Sequence, residues 1–360
     1  MGVFLSNRLL QCIVLCKSYN WLGVNMIKKI QNLSIPQYIV LAYALVIAIG
    51  GFLLWLPISA NAGSTSFIDA LFTATSATAV TGQVTLNTAE HWNYFGKTVI
   101  LILIEIGGLG FMTIWVLLYS NVFKRQTNLK QRKIVAESLS LSGGDSVQST
   151  VLSILRFAFS VQIMGAFLLS FSFIPKYGAS KGLYFSIFHS ISAFCNAGFD
   201  LIGNSLIDFQ SNPFVLLVIA ALVMTGGLGF IVWEDLFNYR KTKKLQPYTK
   251  IVLITTISLW LIGMVLFGIS ERNNGTFSHL PFGHQLANYF FLAVTPRTAG
   301  FANIDYAQLT NGSVFLTIML MFVGASSGST GGGIKVSTLA VVLIVIYRSI
   351  NHDRDRKSVV

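Results

Sequence analysis

The sequence contains three short apolar runs that each lead through small and hydroxyl residues to a glycine. They are residues 67–83 (FIDALFTATSATAVTGQ), 184–200 (YFSIFHSISAFCNAGFD) and 286–303 (LANYFFLAVTPRTAGFAN). A helix needs roughly 20 apolar residues to cross a bilayer, so these runs are too short to span one. Non-helical backbone at membrane depth is tolerated only where it is buried in protein or lines a water-filled path. A short helix followed by an extended glycine segment, repeated between full spans, is typical of an ion-conducting pore loop.

The composition places the chain in the membrane class. Its mean hydropathy is +0.67, 53% of its residues are hydrophobic and only 11% are charged. Soluble domains carry roughly 25% charged residues, so a soluble globular protein is excluded. Together with the short runs, this composition predicts an all-α polytopic membrane protein made of repeated span, re-entrant loop and span units.

The placement of basic residues predicts the orientation in the membrane. The net charge is +12, and 19 of the 25 Lys and Arg residues lie in or beside one set of connections between spans. By the positive-inside rule this set is cytoplasmic, together with the N-terminus, whereas Glu90, Asp208 and Glu271 are external. The charges flank spans and do not form one groove, so nucleic-acid binding is not predicted.

These patterns divide the chain into three repeated units. The hexapeptides IGGLGF (106–111) and TGGLGF (225–230) follow the first two loops and indicate internal duplication, and their glycines allow helices to approach closely. They lie in the predicted spans 95–119 and 213–237. Whether translation begins at Met1 or Met26 is left open. The predicted parts are a cytoplasmic N-terminal segment 1–34, a first unit 35–123, a cytoplasmic connector 124–150, a second unit 151–239, a connector 240–250, a third unit 251–347 with a broken last span, and a cytoplasmic tail 348–360.

The last apolar segment, residues 313–347, is too long for one straight helix across a hydrocarbon core of about 30 Å. It contains the stretch GASSGSTGGG at 324–333. Each glycine costs about 1 kcal/mol relative to alanine in a helix, so we expect a loop there. The stretch is not a phosphate-binding loop, because Ile334 separates Gly333 from Lys335 where that motif needs Gly-Lys-Ser/Thr.

Four motifs carry a resemblance to a known family. They are TAVTG (78–82), CNAGFD (195–200), TPRTAGF (295–301) and GASSGSTGGGIK (324–335). With them the chain resembles the Trk/Ktr/HKT superfamily of potassium transporters, and in particular the KtrB-like membrane subunit of the bacterial Ktr type. In that family four span–loop–span units surround one pseudo-fourfold pore, and each unit supplies one filter glycine.

The resemblance implies potassium uptake across the plasma membrane, with or without a dependence on sodium, and no enzymatic activity. It implies no catalytic residue, no cofactor and no metal beyond the transported K⁺. The implied partners are membrane lipid, a second copy of the chain in a homodimer, and a cytoplasmic KtrA-like ring of nucleotide-binding regulatory subunits. The implied potassium-binding filter comprises Val80, Thr81, Gly82, Asn196, Ala197, Gly198, Thr298, Ala299 and Gly300. The implied gate loop comprises Gly324, Ala325, Ser326, Ser327, Gly328, Ser329, Thr330, Gly331, Gly332 and Gly333.

Two departures from the family pattern leave alternatives open. The sequence ends before a fourth loop, which would make it a truncated product, a non-functional fragment or one part of a protein encoded in pieces. Gln83 follows the first filter glycine where an apolar residue is expected.

A secondary cation transporter with broken helices is the alternative function. Isolated Glu105, with His189 on a different element, does not supply the paired groups of an intramembrane enzyme.

Overall fold

The computed structural model describes residues 35–350 apart from residues 62, 111–146 and 276. The regular secondary structure of the described part is helical, with no β-strand and only two isolated bridges. Its helices are α1 (Ile35–Trp55), α2 (Phe67–Thr78), α3 (Thr88–His91), α4 (Tyr94–Leu109), α5 (Val147–Tyr177), α6 (Ala179–Phe194), α7 (Pro213–Leu228), α8 (Phe230–Thr242), α9 (Pro247–Ser270), α10 (Phe282–Val294), α11 (Asn311–Phe322) and α12 (Val336–Ile350).

The long apolar helices make the chain a polytopic membrane protein of the all-α class. Among the described residues, α5 and α9 are each long and apolar enough to cross a bilayer, and α7 with α8 qualifies as a bent pair. The apolar helices α1, α11 and α12 are shorter. Large apolar side chains such as Ile163, Phe171 and Ile262 are exposed on the outside of these helices. Such surfaces suit contact with lipid tails.

The three short apolar runs form the short helices α2, α6 and α10. The helix α2 begins at Phe67, where the Ser66 side chain accepts a hydrogen bond from the Ile68 amide. The helix α6 follows Gly178, whose φ of +85° turns the chain sharply after α5. All three helices end shortly before the glycine that closes each run.

The predicted span over residues 213–237 is not one continuous helix. The helix α7 ends at Leu228, and α8 leaves it at an angle of 93°. The bend lies at Gly229, which has a φ of +88°. A Cβ atom there would lie 2.6 Å from Ser326 Oγ, so only glycine fits.

The same position in the first hexapeptide also ends a helix. The helix α4 ends at Leu109, and Gly110 has a φ of +81°. Residues 111–119 of the predicted span 95–119, residues 124–146 of the connector, the tail after Ile350 and the N-terminal segment 1–34 lie outside the described residues. The two hexapeptides therefore share one backbone conformation up to the residue before their final phenylalanine.

The broken end of α7 exposes backbone carbonyl groups that residues 324–333 bind. The amide of Ser326 donates to Gly227 O at 3.1 Å, and that of Thr330 donates to Gly226 O at 3.3 Å. The Ser326 hydroxyl donates to Leu228 O. A helix leaves its last carbonyl groups without intrahelical partners, and at membrane depth water does not replace them. The chain is non-helical between α11 and α12 because this loop serves the end of α7.

A further contact joins each hexapeptide to a short helix. Gly107 packs on the carbonyl oxygen of Thr78, and Gly226 packs on that of Phe194. Thr78 and Phe194 are equivalent, since each lies four residues before the closing glycine of its run. In both units a side chain at the hexapeptide glycine would overlap the oxygen, so glycine sets the helix separation.

One buried carboxyl group joins the end of α9 to the start of α11. Glu271 accepts hydrogen bonds from the Thr310 amide at 3.0 Å, the Thr310 hydroxyl at 2.8 Å and the Asn274 side chain at 2.7 Å. Burial alone would raise the pKa of Glu271, but the hydrogen bonds from Ser313, Asn274 and Thr310 outweigh it and lower the pKa. The charged form is therefore the stable one at this helix junction.

We predict that Gly226→Ala destabilises the protein by about 1–3 kcal/mol, because the new methyl group overlaps Phe194 O. The matched control is Gly268→Ala in the last turn of α9, where the new Cβ would meet Tyr289 at an ordinary 3.6 Å. That change should stabilise the helix by at most about 1 kcal/mol. Thermal unfolding in detergent measures both. Equal melting temperatures for the two variants would contradict the close contact.

Candidate functional site

The three short helices lead into segments with the same unusual backbone. We call residues 80–82, 196–198 and 298–300 the apex segments. In each, the first and third residues have positive φ: +55° and +75°, +58° and +70°, and +70° and +79°. Glycine adopts such angles freely, but Val80 is β-branched and rarely does, so the surrounding structure must enforce its conformation.

The helix ends explain this backbone in the first two units. Each helix closes with a pair of hydrogen bonds in which two consecutive amides after the last turn donate to two earlier carbonyl groups, and the first of the two donating residues is left-handed. The bonds are Val80 N to Ala77 O at 3.2 Å, Thr81 N to Ser76 O at 2.8 Å, Asn196 N to Ala193 O at 3.1 Å and Ala197 N to Ser192 O at 2.8 Å. The third unit has Pro296, which lacks an amide hydrogen. There the Ala299 amide donates to Thr295 O at 3.0 Å.

The structure brings the three apex segments into contact. A Cβ atom on Gly198 would lie 2.8 Å from Ala299 O and 3.0 Å from the Cα atom of Gly300. A Cβ atom on Gly82 would overlap Ala197 O. The second segment therefore lies between the other two, and the negative ends of three helix dipoles meet there. Such a meeting of carbonyl groups and helix ends attracts a cation.

The second and third apex segments are anchored by the helices that precede them. The Ser192 hydroxyl donates to Phe199 O at 2.8 Å, and the Thr295 hydroxyl donates to Phe301 O. Phe199 and Phe301 are each only 1% exposed. Each buried phenylalanine immediately follows its glycine. The hydroxyl group and the phenylalanine ring together hold the backbone in place where it leaves the apex segment.

The first apex segment has neither anchor. Gln83 takes the place of the phenylalanine and is exposed. The hydroxyl of Ser76, which is equivalent to Ser192, is buried without a hydrogen-bond partner among the described atoms. The first unit therefore has both an unusual residue after its glycine, Gln83, and a helix-end hydroxyl, that of Ser76, without a partner among the described atoms.

The chain beyond the apex segments shows the same asymmetry. The second and third segments are joined by Leu206 N to Ala302 O at 2.8 Å and Gln210 Nε2 to Asn303 O at 2.7 Å. Among the described residues, the chain that follows the first segment is joined to the chain that follows the second by a weak bond from Asn87 Nδ2 to Gly203 O at 3.4 Å. Segments two and three thus form one hydrogen-bonded body.

Residues 324–333 lie on the helix-end side of the apex. A Cβ atom on Gly331 would lie 2.5 Å from Thr298 Oγ1 and 3.2 Å from the Asn196 side-chain amide. The Thr330 hydroxyl donates to Phe194 O at 3.1 Å. Sequence reasoning grouped these loop residues with the apex by resemblance, and the structure places them directly against its second and third segments.

Two buried polar side chains near the apex are held by the scaffold. His189 Nδ1 lies 2.7 Å from Phe185 O, and its Nε2 accepts the Leu201 amide at 3.4 Å. Phenylalanine rings surround it, among them Phe173 and Phe301. His189 therefore ties α6 to the chain after the second apex segment by packing and hydrogen bonding.

Glu105 on α4 also makes contacts within the protein. Gln162 Nε2 on α5 donates to both carboxyl oxygens, at 3.0 and 3.2 Å, and Cys195 Sγ lies 3.5 Å from one of them. This arrangement links the first unit to the second beside Asn196. The sequence did not single out Gln162.

Sequence reasoning also missed Arg297. It lies one residue before the third apex segment and is 5% exposed. Its Nη2 donates to Gly324 O at 2.8 Å. Arginine inside an apolar run is rare in membranes and usually functional, so its position in TPRTAGF was a usable signal.

This architecture, with short helices that end on one shared point at membrane depth, defines a class: the membrane transport proteins built from pore loops. Within the described residues no group of three or more His, Cys, Asp or Glu side chains could hold a metal ion. The chain belongs to the TrkH family of cation transport proteins, whose family model matches residues 37–360. This is a family of transporters and not of enzymes.

The chain is similar to several named proteins of this family. It is 48% identical to the potassium/sodium uptake protein NtpJ of Enterococcus hirae, over 88% of this chain and 70% of that protein. It is 43% identical to the Ktr system potassium uptake protein B of Bacillus subtilis, over 86% of this chain and 69% of that protein. The crystal structure of the potassium transporter TrkH from Vibrio parahaemolyticus shares the fold, with a TM-score of 0.67 at 18% identity, over 91% of this chain and 65% of that one.

We predict that Ser192→Ala costs about 1 kcal/mol of stability, because it removes the bond to Phe199 O. The matched change Ser76→Ala should be neutral or slightly stabilising, since the Ser76 hydroxyl is buried without a partner. Thermal unfolding in detergent compares the two. A larger loss for Ser76→Ala than for Ser192→Ala would show that the first apex segment is the better anchored one.

Proposed function

We propose that the chain takes up potassium across the plasma membrane, with the apex segments as its selectivity filter and residues 324–333 as its gate. The observation that carries this proposal is the repeated backbone of the apex segments, which meet at the negative ends of three helices. Potassium must shed water at a constriction, and backbone carbonyl groups can replace that water. Alternating left-handed residues turn successive carbonyl groups toward a common side.

The relatives support potassium as the ion, since NtpJ is named for potassium and sodium uptake and the Ktr protein for potassium uptake. We propose potassium as the transported ion and leave the dependence on sodium to experiment. One filter glycine in each unit gives few coordinating carbonyl groups, which favours modest selectivity.

The gate assignment rests on the contacts of residues 324–333. This loop lies against Asn196 and Thr298, directly at the helix-end side of the proposed filter. An ion that leaves the filter toward the helix ends would meet it. We propose that a cytoplasmic KtrA-like ring of nucleotide-binding subunits moves this loop and that the chain assembles as a homodimer. The basic connectors are predicted to be cytoplasmic and would face such a ring.

Gly198→Ser tests the filter. A side chain at a φ of +70° costs about 1–2 kcal/mol, and here it also meets Ala299 O, so the carbonyl groups should be displaced. We expect a lower preference for potassium over sodium, measured by uptake in cells that lack their own potassium uptake. The assay uses the chain alone and, in parallel, a fusion to the part of NtpJ that it does not cover, called the NtpJ fusion below.

Gly203→Ser is the matched control for this filter variant. Gly203 has a φ of +103° and lies in the chain after the second apex segment, where a new Cβ would touch nothing closer than 3.4 Å. It carries a similar backbone penalty without touching the filter. The filter proposal fails if both variants keep the wild-type ion preference, or if both lose it equally.

Removal of residues 328–332 tests the gate. We expect higher flux per folded molecule and a weaker dependence on any regulatory partner, because the obstruction is shortened. The deletion also removes Thr330 and its bond to Phe194 O, so flux must be normalised to purified and reconstituted protein. Less folded protein with unchanged flux per molecule would mean that the loop only packs.

A further inference from the structure

The buried guanidinium group of Arg297 joins the third apex segment to the loop at 324–333. Arg297 immediately precedes Thr298, and its Nη2 donates to Gly324 O at 2.8 Å. This is a bond between two elements that the chain separates by 27 residues. Any displacement of the loop at Gly324 must break it.

The surroundings of Arg297 leave its charge few other partners. The guanidinium lies 5.5 Å from the ring centre of Trp260 on α9, within reach of a cation–π interaction. Its Nε is buried without a partner, and among the described residues no carboxylate forms a salt bridge with it. The adjoining cavity measures about 10 Å³, the lower limit for one water molecule. The hydrogen bond to Gly324 O is therefore one of the few interactions that stabilise the positive charge of this almost fully buried guanidinium group.

Gly324 lies where the first residues of the loop are hydrogen-bonded to its last residues. The Gly324 amide donates to Ile334 O at 3.1 Å, and the Ala325 amide donates to Gly332 O at 3.0 Å. Gly324 itself packs against the backbone of Gly332 and Gly333. A bond at Gly324 therefore restrains both ends of the loop at once, whereas a bond in the middle of the loop would restrain only one turn.

We propose that Arg297 is a latch that holds the 324–333 loop against the apex by its bond to Gly324. The inference rests on the proposed role of this loop as a gate, and it assigns the residue that sets the closed position. Loss of the bond leaves a buried cation beside Trp260 alone, so movement of the loop is penalised while Arg297 is present. Arg297 acts through the loop and is a positioning residue.

The loop contains a matched control for the charge. Lys335 is half-buried, and its Nζ donates to Gly331 O at 2.8 Å. Like Arg297, it is a cation bonded to a loop carbonyl, but both partners lie within the loop region. Lys335→Met removes the same charge without breaking a bond between the loop and the apex.

Accessibility of the loop tests the latch without relying on transport. Ser326 is 1% exposed, so a cysteine placed there reacts with a thiol reagent only when the loop leaves its site. In a Ser326→Cys background, Arg297→Met should speed labelling by roughly tenfold, the loss expected for one charged hydrogen bond. Lys335→Met should leave the rate unchanged, and Arg297→Lys should keep labelling slow. The chain without Ser326→Cys gives the background from its own cysteines.

The outcomes separate the latch from the gate. An unchanged labelling rate in Arg297→Met, or equal acceleration by Lys335→Met, overturns the latch. If the Arg297→Met protein does not accumulate, Arg297→Gln makes the same comparison, since its side chain is too short to reach Gly324 O. Rubidium flux in the NtpJ fusion is measured in parallel. Faster labelling with unchanged flux supports the latch and contradicts the gate, and higher flux together with faster labelling supports both.

Discussion

Backbone carbonyl groups at helix ends in the middle of a membrane must find partners inside the protein, because lipid offers none. Among the described helices, α2, α6, α10 and α7 end under that constraint. The first three direct their last carbonyl groups and their dipoles toward the apex segments. The fourth is satisfied by the loop at 324–333. The positions of the apex and of the loop both follow from this need.

The same constraint gives the loop two tasks. It binds Gly226, Gly227 and Leu228 at the end of α7, and it also contacts Asn196 and Thr298 in the apex segments. A movement of the loop that opens the proposed ion path would therefore expose the carbonyl groups of α7. The bend at Gly229 and the position of the loop are consequently coupled, and the cytoplasmic ring proposed above would act on the loop through α8.

The apex is also unequal in its anchoring. The hydroxyl groups of Ser192 and Thr295 each donate to the carbonyl group of the residue after the next glycine, and this residue is a buried phenylalanine in both cases. The Ser76 hydroxyl has no hydrogen-bond partner in the described part of the chain, and Gln83 is exposed. A filter with one loosely held segment adapts its width more easily than a rigid one, which agrees with the modest selectivity proposed for it.

The sequence predicted the short helices and the glycines at their ends because apolar length and glycine position are local properties. The motif resemblance correctly indicated the family. The break at Gly229 was missed, since Ser326, which packs against it, is distant in the sequence, and 213–228 reads with 230–237 as one apolar run. The partners of Glu105 and Arg297 were missed for the same reason: Gln162 and Gly324 O are tertiary contacts, and the second is a backbone atom that no side-chain pattern reveals.

As the proposed filter, the apex segments would bind a potassium ion through their backbone carbonyl groups. Anomalous diffraction from crystals grown in rubidium, a heavier substitute for potassium, tests it most directly. We expect a rubidium peak enclosed by the carbonyl groups of residues 80–82, 196–198 and 298–300, and loss of that peak when rubidium is replaced by sodium. An apex without a peak, in crystals that show rubidium bound elsewhere along the helices, would contradict it.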